Sequence, residues 1–400
     1  MISHSALPMI RASVPVLRQH GVSITKAFYS RLFAAHPELS NVFNMGNQAN
    51  GSQQGSLAAA LFAYAANIED PDALTPVIER IAHKHASIGI RPSHYPIVAR
   101  HLLGAIRSVL GDAATPELLT AWDEAYWLLA GELIANEARL YERAASVAGD
   151  LRALRITQVV QESAEIVSIY LQTSEGGSPG SFEPGQFVSV AIDLPEMGSR
   201  QLRQYSLSDS PRRPYWRITI KREPKGAAKP AGWVSNRLHV EARPGEILQV
   251  SAPFGNFAPA VMDRPLVLLS AGVGITPMIS ALNTLADSGS QHPILFAHAT
   301  RALDAKVLGH EVQSAATRLP SLQPIFFYED ASADPAGPAS CAGRMVLSEE
   351  LLAPYRAAEF YLCGPLPFMR EQWRSLVQLG IPAERLHREV FGPELLDHLQ

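Results

Sequence analysis

The chain has 400 residues, 47% of them hydrophobic, and a formal net charge of −4. That length allows two or three domains with sizeable cores, and the slightly acidic balance gives no case for nucleic-acid binding. Its two cysteines, Cys341 and Cys363, stand outside any C-x-x-C pair, which excludes a disulfide framework and suits a reducing compartment.

The N-terminus, MISHSALPMIRAS, lacks a basic region followed by a continuous apolar run, so no signal peptide is expected. The longest apolar stretch, around residues 57–68, is shorter than the ~18–20 residues a membrane span needs. A soluble cytoplasmic protein without a transmembrane segment is expected.

Residues 1–145 read as helices. Ser23 precedes a helix with Phe28 and Leu32 on its buried face and Tyr29 beside Phe28. After the Gly51-Ser52 turn signal, Gln53, Leu57 and Leu61 fall on one face of a further helix. Tyr29 and Gln53 are thus polar residues at or beside inward lines. Thr75-Pro76 signals another helix start, with Ile78, Ile81 and His85 on one face and His83 off it. His85 reads either as packed core or as a metal ligand, binding through one nitrogen while the other donates to a carboxylate or carbonyl. Thr115-Pro116-Glu117 combines a capping hydroxyl, a proline at the first helical position and an acid against the positive helix end. Leu118, Trp122, Ala125, Leu129 and Leu133 then form an inward stripe, and its next places are Glu137 and Leu140. A carboxylate there either reaches water at the helix end or needs a partner. His85 is a candidate for that partner.

Near Gly149-Asp150 the periodicity becomes alternating, and residues 155–159, 166–171, 184–190 and 216–222 read as short strands separated by Gly/Pro turns, as in an antiparallel barrel. Within it lies Arg203-Gln204-Tyr205-Ser206. The arginine offers a fixed fork of donors for a phosphate, the tyrosine a flat face for a ring, and the serine a hydroxyl for a ring nitrogen. Lys225-Gly226-Ala227-Ala228-Lys229-Pro230-Ala231 lengthens the loop before Gly232, and a mobile surface loop is expected there.

The run Pro265-Leu266-Val267-Leu268-Leu269-Ser270 reads as a buried parallel strand. Ala271-Gly272-Val273-Gly274-Ile275-Thr276-Pro277 follows, with a helical pattern from Met278. Strand, glycine turn and helix form a phosphate cradle, although proline replaces the last glycine of G-x-G-x-x-G. Further apolar runs at 294–297 and 360–363 suggest a doubly wound sheet, the last ending in Cys363-Gly364-Pro365 at a strand's C-terminal edge. Arg301 follows a strand and reads either as a partner for a 2′-phosphate or as a solvated loop arginine.

The first third resembles the globin domain of flavohaemoglobins. The segments that carry the likeness are Ile24-Thr25-Lys26-Ala27-Phe28-Tyr29-Ser30-Arg31-Leu32-Phe33, Pro37-Glu38-Leu39, Phe43-Asn44-Met45, Asn47-Gln48, Gly55-Ser56-Leu57, Ala63-Tyr64-Ala65, Lys84-His85 and Tyr95. The resemblance implies that His85 is the proximal ligand to haem iron. It makes Tyr29 and Gln53 a distal polar pair, Leu57 the distal apolar wall, and Phe43 a residue packed on the haem. Tyr95 and Glu137 would orient His85, and Lys84 would tune the haem. A carboxylate behind His85 makes its imidazole more electron-donating, and the Tyr29 hydroxyl could donate to bound O2 with the strength of a charge-assisted bond.

The remainder resembles ferredoxin-reductase-like proteins, through Pro184-Gly185-Gln186-Phe187, Arg203-Gln204-Tyr205-Ser206, Gly232-Trp233-Val234-Ser235-Asn236, the two nucleotide loops and Glu389-Val390-Phe391-Gly392-Pro393. The likeness implies that Tyr205 stacks on a flavin whose N5 Ser206 approaches. Arg203 and the Val234 and Ser235 amides would hold the pyrophosphate, with Gln204 in the same strand and Phe187 on the adenine or ribose side. Gly272, Val273, Gly274, Ile275, Thr276 and Pro277 would hold a nicotinamide dinucleotide with Cys363, Gly364 and Pro365. Phe391 and its neighbours Val390, Gly392 and Pro393 would cover the flavin, and Glu389 would lie between flavin and haem.

The expected fold is multidomain: an all-α globin domain (1–145), an antiparallel β-barrel FAD domain (150–261) and a doubly wound α/β NAD(P)-binding domain (262–400). The resemblance implies haem b, FAD and NAD(P)H as cofactors, O2 and NO as substrates, and nitrate as product. It leaves room for a lipid in the distal pocket, and a monomer is expected. Two other readings stay open: an oxygen store or sensor with an attached reductase, and a reductase of alkyl or lipid hydroperoxides.

Overall fold

The structure, a computed structural model, describes residues 2–226, 231–259, 263–301, 307–330 and 339–392. Among these residues six α-helices come first: α1 (Ala6–Ala35), α2 (Met45–Ala49), α3 (Ser52–Ala66), α4 (Pro71–Ile88), α5 (His94–Leu110) and α6 (Pro116–Arg143). Helix α6 starts where the sequence places it. The Thr115 side chain accepts from the Leu118 amide, and Pro116 takes the first position, where its missing N–H removes no helical bond.

Two helix starts differ from expectation. Ser23 lies inside α1, because Ile10, Leu17, Ile24, Phe28 and Leu32 are buried along one helix that begins at Ala6. Ser23 itself is exposed and caps nothing. Thr75-Pro76 lies inside α4. Asp70 accepts from the Ala73 amide one turn earlier, with Pro71 at the first position, and the Thr75 hydroxyl bonds back to the Pro71 carbonyl at 2.8 Å. Asp-Pro therefore outcompetes Thr-Pro as the cap.

Strands β1 (Arg152–Ser163), β2 (Ile166–Thr173), β3 (Phe187–Leu194), β4 (Ser199–Ser206) and β5 (Trp216–Lys221), helix α7 (Trp233–Glu241) and β6 (Ile247–Val250) follow. The sheet runs β4-β3-β6-β1-β2-β5, with antiparallel pairing throughout. A bridge between Leu207 and Ile218 brings its two edges together, closing the barrel. Its interior is filled by Ile156, Ile169, Leu171, Val188, Val190, Trp216 and Ile218, each under 2% exposed.

The last third contains β7 (Leu266–Ala271), α8 (Ile275–Ser288), β8 (Ile294–Thr300), α9 (Gly309–Ala316), β9 (Leu322–Tyr328), β10 (Ser340–Ala342), α10 (Glu349–Leu352), β11 (Glu359–Cys363), α11 (Leu366–Gln378) and β12 (Leu386–Glu389). The sheet is parallel, ordered β10-β9-β8-β7-β11-β12. Its central strand β7 is buried at all six positions, which explains its uninterrupted apolar sequence. The chain order steps outward from β7 to β10, then returns to β11 on β7's other side. That reversal leaves a crevice at the C-terminal strand ends.

The helical and barrel layers share a seam. The Gln204 amide donates to the Ser87 hydroxyl at 2.6 Å, Gln201 donates to the Ser40 carbonyl at 3.0 Å, and the Gly255 N–H donates to His83 Nδ1 at 2.8 Å. Burial, with Arg143 second, pushes the His83 pKa down to about 4, which keeps this acceptor nitrogen free of a proton. Of the long loop expected before Gly232, residues 227–230 lie outside the described residues, as does Pro393. No helix among the described residues is long and apolar enough to cross a membrane.

Candidate active site

Helix α4 carries His85 and α6 carries Glu137 to one point. His85 Nδ1 lies 2.9 Å from Glu137 Oε1, and the Tyr95 hydroxyl at the start of α5 donates to the same oxygen at 2.5 Å. Tyr95 also stands 3.2 Å from His85 Nδ1. Glu137 is 2% exposed, so the partnered reading holds and the water-reaching one does not. Tyr95 is held in turn, because Tyr126 donates to its carbonyl at 2.7 Å. Burial first and Glu137 second push the Tyr95 phenol far upward, so it remains a neutral donor. With Nδ1 facing a carboxylate, Nε2 is the nitrogen of His85 left for a ligand.

His85 lines a cavity of about 610 Å³. Tyr29, Phe43, Gln53, Leu57 and Lys84 share its wall. Tyr29 is 4% exposed, and burial pushes its phenol up to about 12, offset in part by hydrogen bonds with Gln53 and Gln48. Phe43 meets the Tyr29 ring edge-on, with centroids 5.8 Å apart. The Lys84 ammonium donates to the Gly392 carbonyl.

The same cavity continues into the barrel, past Phe187, Arg203, Gln204, Tyr205, Ser206, Val234 and Ser235. Antiparallel pairing sets Phe187 opposite Ser206 and Val188 opposite Tyr205. Tyr205 is partly buried against the barrel core. The Arg203 guanidinium donates to the Leu202 carbonyl at 2.7 Å and to Gln201 Oε1 at 3.4 Å, both neutral acceptors. Gly232 precedes α7, where Val234 and Ser235 occupy the first turn and their amides lack helical partners. A Cβ at Gly232 would stand 2.5 Å from Ser235 Oγ and 2.9 Å from Glu223 Cβ.

At the crevice of the parallel sheet the two glycine loops touch. Gly272 has φ +54° and opens a short 3₁₀ turn, so α8 begins at Ile275, one turn before the expected Met278. Val273 and Thr276 reach the cavity wall, as do Glu389, Val390, Phe391 and Gly392. Gly274, Ile275 and Pro277 are buried, Gly364 is half-buried, and Gly272 and Pro365 are exposed; none of them lines this cavity. Cys363 is fully buried and pairs in register with Glu389. Burial first, then Glu389, pushes its thiol well up. Arg80 Nη2 lies 3.9 Å from Glu389 Oε1, and Phe391 is 48% exposed.

Residues 26–133 match the Globin family, and residues 268–373 match the oxidoreductase NAD-binding domain family. The flavohemoprotein of Chromobacterium violaceum is 47% identical over 98% of both chains. That of Bordetella parapertussis is 45% identical over 98% of this chain and 99% of its own. The chain belongs to the flavohemoproteins. A solved flavohemoglobin from Malassezia yamatoensis with bound FAD and heme superimposes at a TM-score of 0.87 and 28% identity, over 98% of this chain and all of that one. The flavohem-like FAD/NAD-binding domain of a nitric oxide dioxygenase from Vibrio cholerae matches 61% of this chain at 34% identity and a TM-score of 0.56.

In this flavohemoprotein the globin match contains Tyr29, Phe43, Gln53, Leu57, Lys84, His85 and Tyr95, and stops short of Glu137. Gln48 carries no sequence signal for a place at the site, yet its side chain holds the Tyr29 phenol below where burial alone would push it, and its Oε1 accepts from Gln54 at 3.0 Å. It lies on the five-residue helix α2, too short for a periodicity to mark an inward face. Arg80 was missed as well. Its Nη2 is buried with no hydrogen-bond partner, and only its neighbours in space separate it from an ordinary solvated helix arginine.

Proposed function

We propose that this flavohemoprotein is a nitric oxide dioxygenase that converts NO and O2 to nitrate with electrons from NAD(P)H, acting as a soluble cytoplasmic protein. The supporting observation is the single cavity shared by His85, Tyr29, Arg203, Tyr205 and Glu389. When bound, haem b supplies a redox-active iron and FAD splits a two-electron donor into single electrons.

The residues present suit these groups. Among the described residues no cluster of three or more His, Cys, Asp or Glu could hold a bare metal ion, whereas haem iron needs one imidazole. His85 offers its Nε2, and Glu137 with Tyr95 fixes the ring and raises its basicity. Tyr29, neutral across the physiological range, presents a donor to an oxygen ligand. Leu57 and Phe43 keep the surroundings apolar, and Lys84 places a cation beside the tail.

On the reductase side Tyr205 would offer the stacking face for the flavin and Ser206 a hydroxyl for its ring nitrogen. Arg203 and the first-turn amides of α7 suit a pyrophosphate, and a Cβ at Gly232 would collide with Ser235 Oγ and Glu223 Cβ beside those amides. Val273 and Thr276 would hold the dinucleotide, and residues 390–392, which line the same cavity, would cover the flavin. We assign residues 1–145, 150–261 and 262–400 to the haem, FAD and NAD(P) domains.

The test is to mix reduced, reconstituted protein with O2, NO and NADH and follow NO with an electrode. Consumption far faster than autoxidation, with nitrate as product, is expected. Slow consumption with tightly held O2 would replace this reading with an oxygen store. His85→Ala should abolish stable haem binding, and a normal haem spectrum in that variant would refute the ligand assignment.

A further inference from the structure

Between the barrel and the parallel sheet lies a buried charged cluster away from the cavity. Asp209, 3% exposed, is three residues beyond Ser206. Its carboxylate accepts from Tyr215 at 2.9 Å and from the Asn283 amide at 2.9 Å. Asn283, 1% exposed and on α8, donates also to Glu311 of α9 at 3.0 Å. Arg217 of β5, 1% exposed, bonds Glu311 and stands 3.6 Å from Asp209. A second strut runs from the Ser280 hydroxyl on α8 to the Asp209 carbonyl, at 2.8 Å.

Charges so far from water persist only when paired and hydrogen-bonded. The Asn283 amide nitrogen donates to both carboxylates while its Oδ1 has no partner, and the bonds made tie the barrel segment to α8 and α9. The elements joined here are specific. Asp209 belongs to the segment leaving Ser206, and α8 follows directly on the turn that places Val273 on the cavity wall and itself carries Thr276 there.

We propose that the Asp209–Asn283 pair, backed by Arg217, Glu311 and Ser280, positions the dinucleotide loop against the flavin strand and so sets the distance for nicotinamide oxidation. This rests on the nicotinamide-to-flavin reading above. In that step two electrons and one proton leave C4 of the dihydronicotinamide for N5 of the flavin, so the first is oxidised and the second reduced. Reacting atoms must approach to about 3–3.5 Å, and a misplacement of about 1 Å lowers the rate on the order of a hundredfold. These residues touch neither reactant; they are positioning residues.

The experiment uses full-length holoprotein carrying Asn283→Leu or Ser280→Ala, with haem and FAD content checked by absorption. On anaerobic mixing with NADH, Asn283→Leu should slow saturated flavin reduction about tenfold to a hundredfold and weaken the flavin–nicotinamide charge-transfer band. The NADH concentration for half-saturation should stay within about twofold, and electron passage from photoreduced flavin to haem should be unchanged. Ser280→Ala should show the same pattern at roughly threefold, and it decides the matter if Asn283→Leu fails to retain FAD. Unchanged saturated rates and bands, or a loss confined to half-saturation, would overturn the proposal. Wild-type protein that never reduces its flavin with NADH would instead sink the dioxygenase reading. The charge-transfer band formed with NAD+ and photoreduced flavin would still decide the positioning role.

Discussion

Gly274 and Cys363 approach so closely that a Cβ on Gly274 would stand 2.3 Å from the Cys363 carbonyl oxygen and 2.7 Å from the Gly364 amide nitrogen. The turn after β7 and the turn after β11 are therefore one object, packed backbone to backbone. No side chain could swing away to make room, because the obstructing atoms are main-chain.

Gly274→Ala should force these turns apart. Overpacking of this kind costs about 1–3 kcal/mol. The NADH concentration that half-saturates flavin reduction should rise about tenfold, with the haem spectrum unchanged. Titration of the oxidised protein by rapid mixing checks this; an unaltered half-saturation would mean that the loops relax freely.

Gly185→Ala tests the barrel. Gly185 has φ +98°, and its Cβ would fall 1.9 Å from the Phe257 carbonyl oxygen. Left-handed strain and overlap act together, so a loss of about 2–4 kcal/mol is expected. A lowered melting temperature with early loss of flavin fluorescence quenching would report it.

Glu137→Leu removes the acceptor that His85 and Tyr95 share. The imidazole loses basicity and orientation, and losses on the order of 10–100-fold in haem-iron affinity or turnover are typical of such partners. The iron–histidine stretch in the Raman spectrum should fall to a lower frequency, and a stretch at the wild-type position would remove Glu137 from this role.

Tyr29→Phe should speed O2 dissociation on the order of tenfold to a hundredfold, as loss of a charge-assisted bond of about 1.5–3 kcal/mol implies. The wild-type phenol is pushed up to about 12 from an ordinary 10.0. Its contribution is therefore whole below pH 10 and is lost as pH rises through about 12. Flash photolysis from pH 6 to 9 should show a flat O2 off-rate in the wild type.

Much of this was legible along the chain, wherever the physics is local. Thr115-Pro116-Glu117 marked the start of α6 because a cap depends on neighbours in sequence. Asp70-Pro71 and Thr75-Pro76 are neighbouring cap signals that compete, and only their hydrogen bonds separate them. Ser23 misled for a related reason: a capping residue on the outer face of a long helix looks like a start.

By itself the sequence determined the strand-and-turn grammar, the glycine positions and the two inward lines that carry His85 and Glu137, because periodicity and φ preferences are set residue by residue. Tertiary structure alone decided that Glu137 meets His85 across two helices, that Gln204 reaches Ser87, and that one cavity joins helices to barrel. Those contacts depend on how whole elements pack, and no spacing within a single element encodes the distance between two of them.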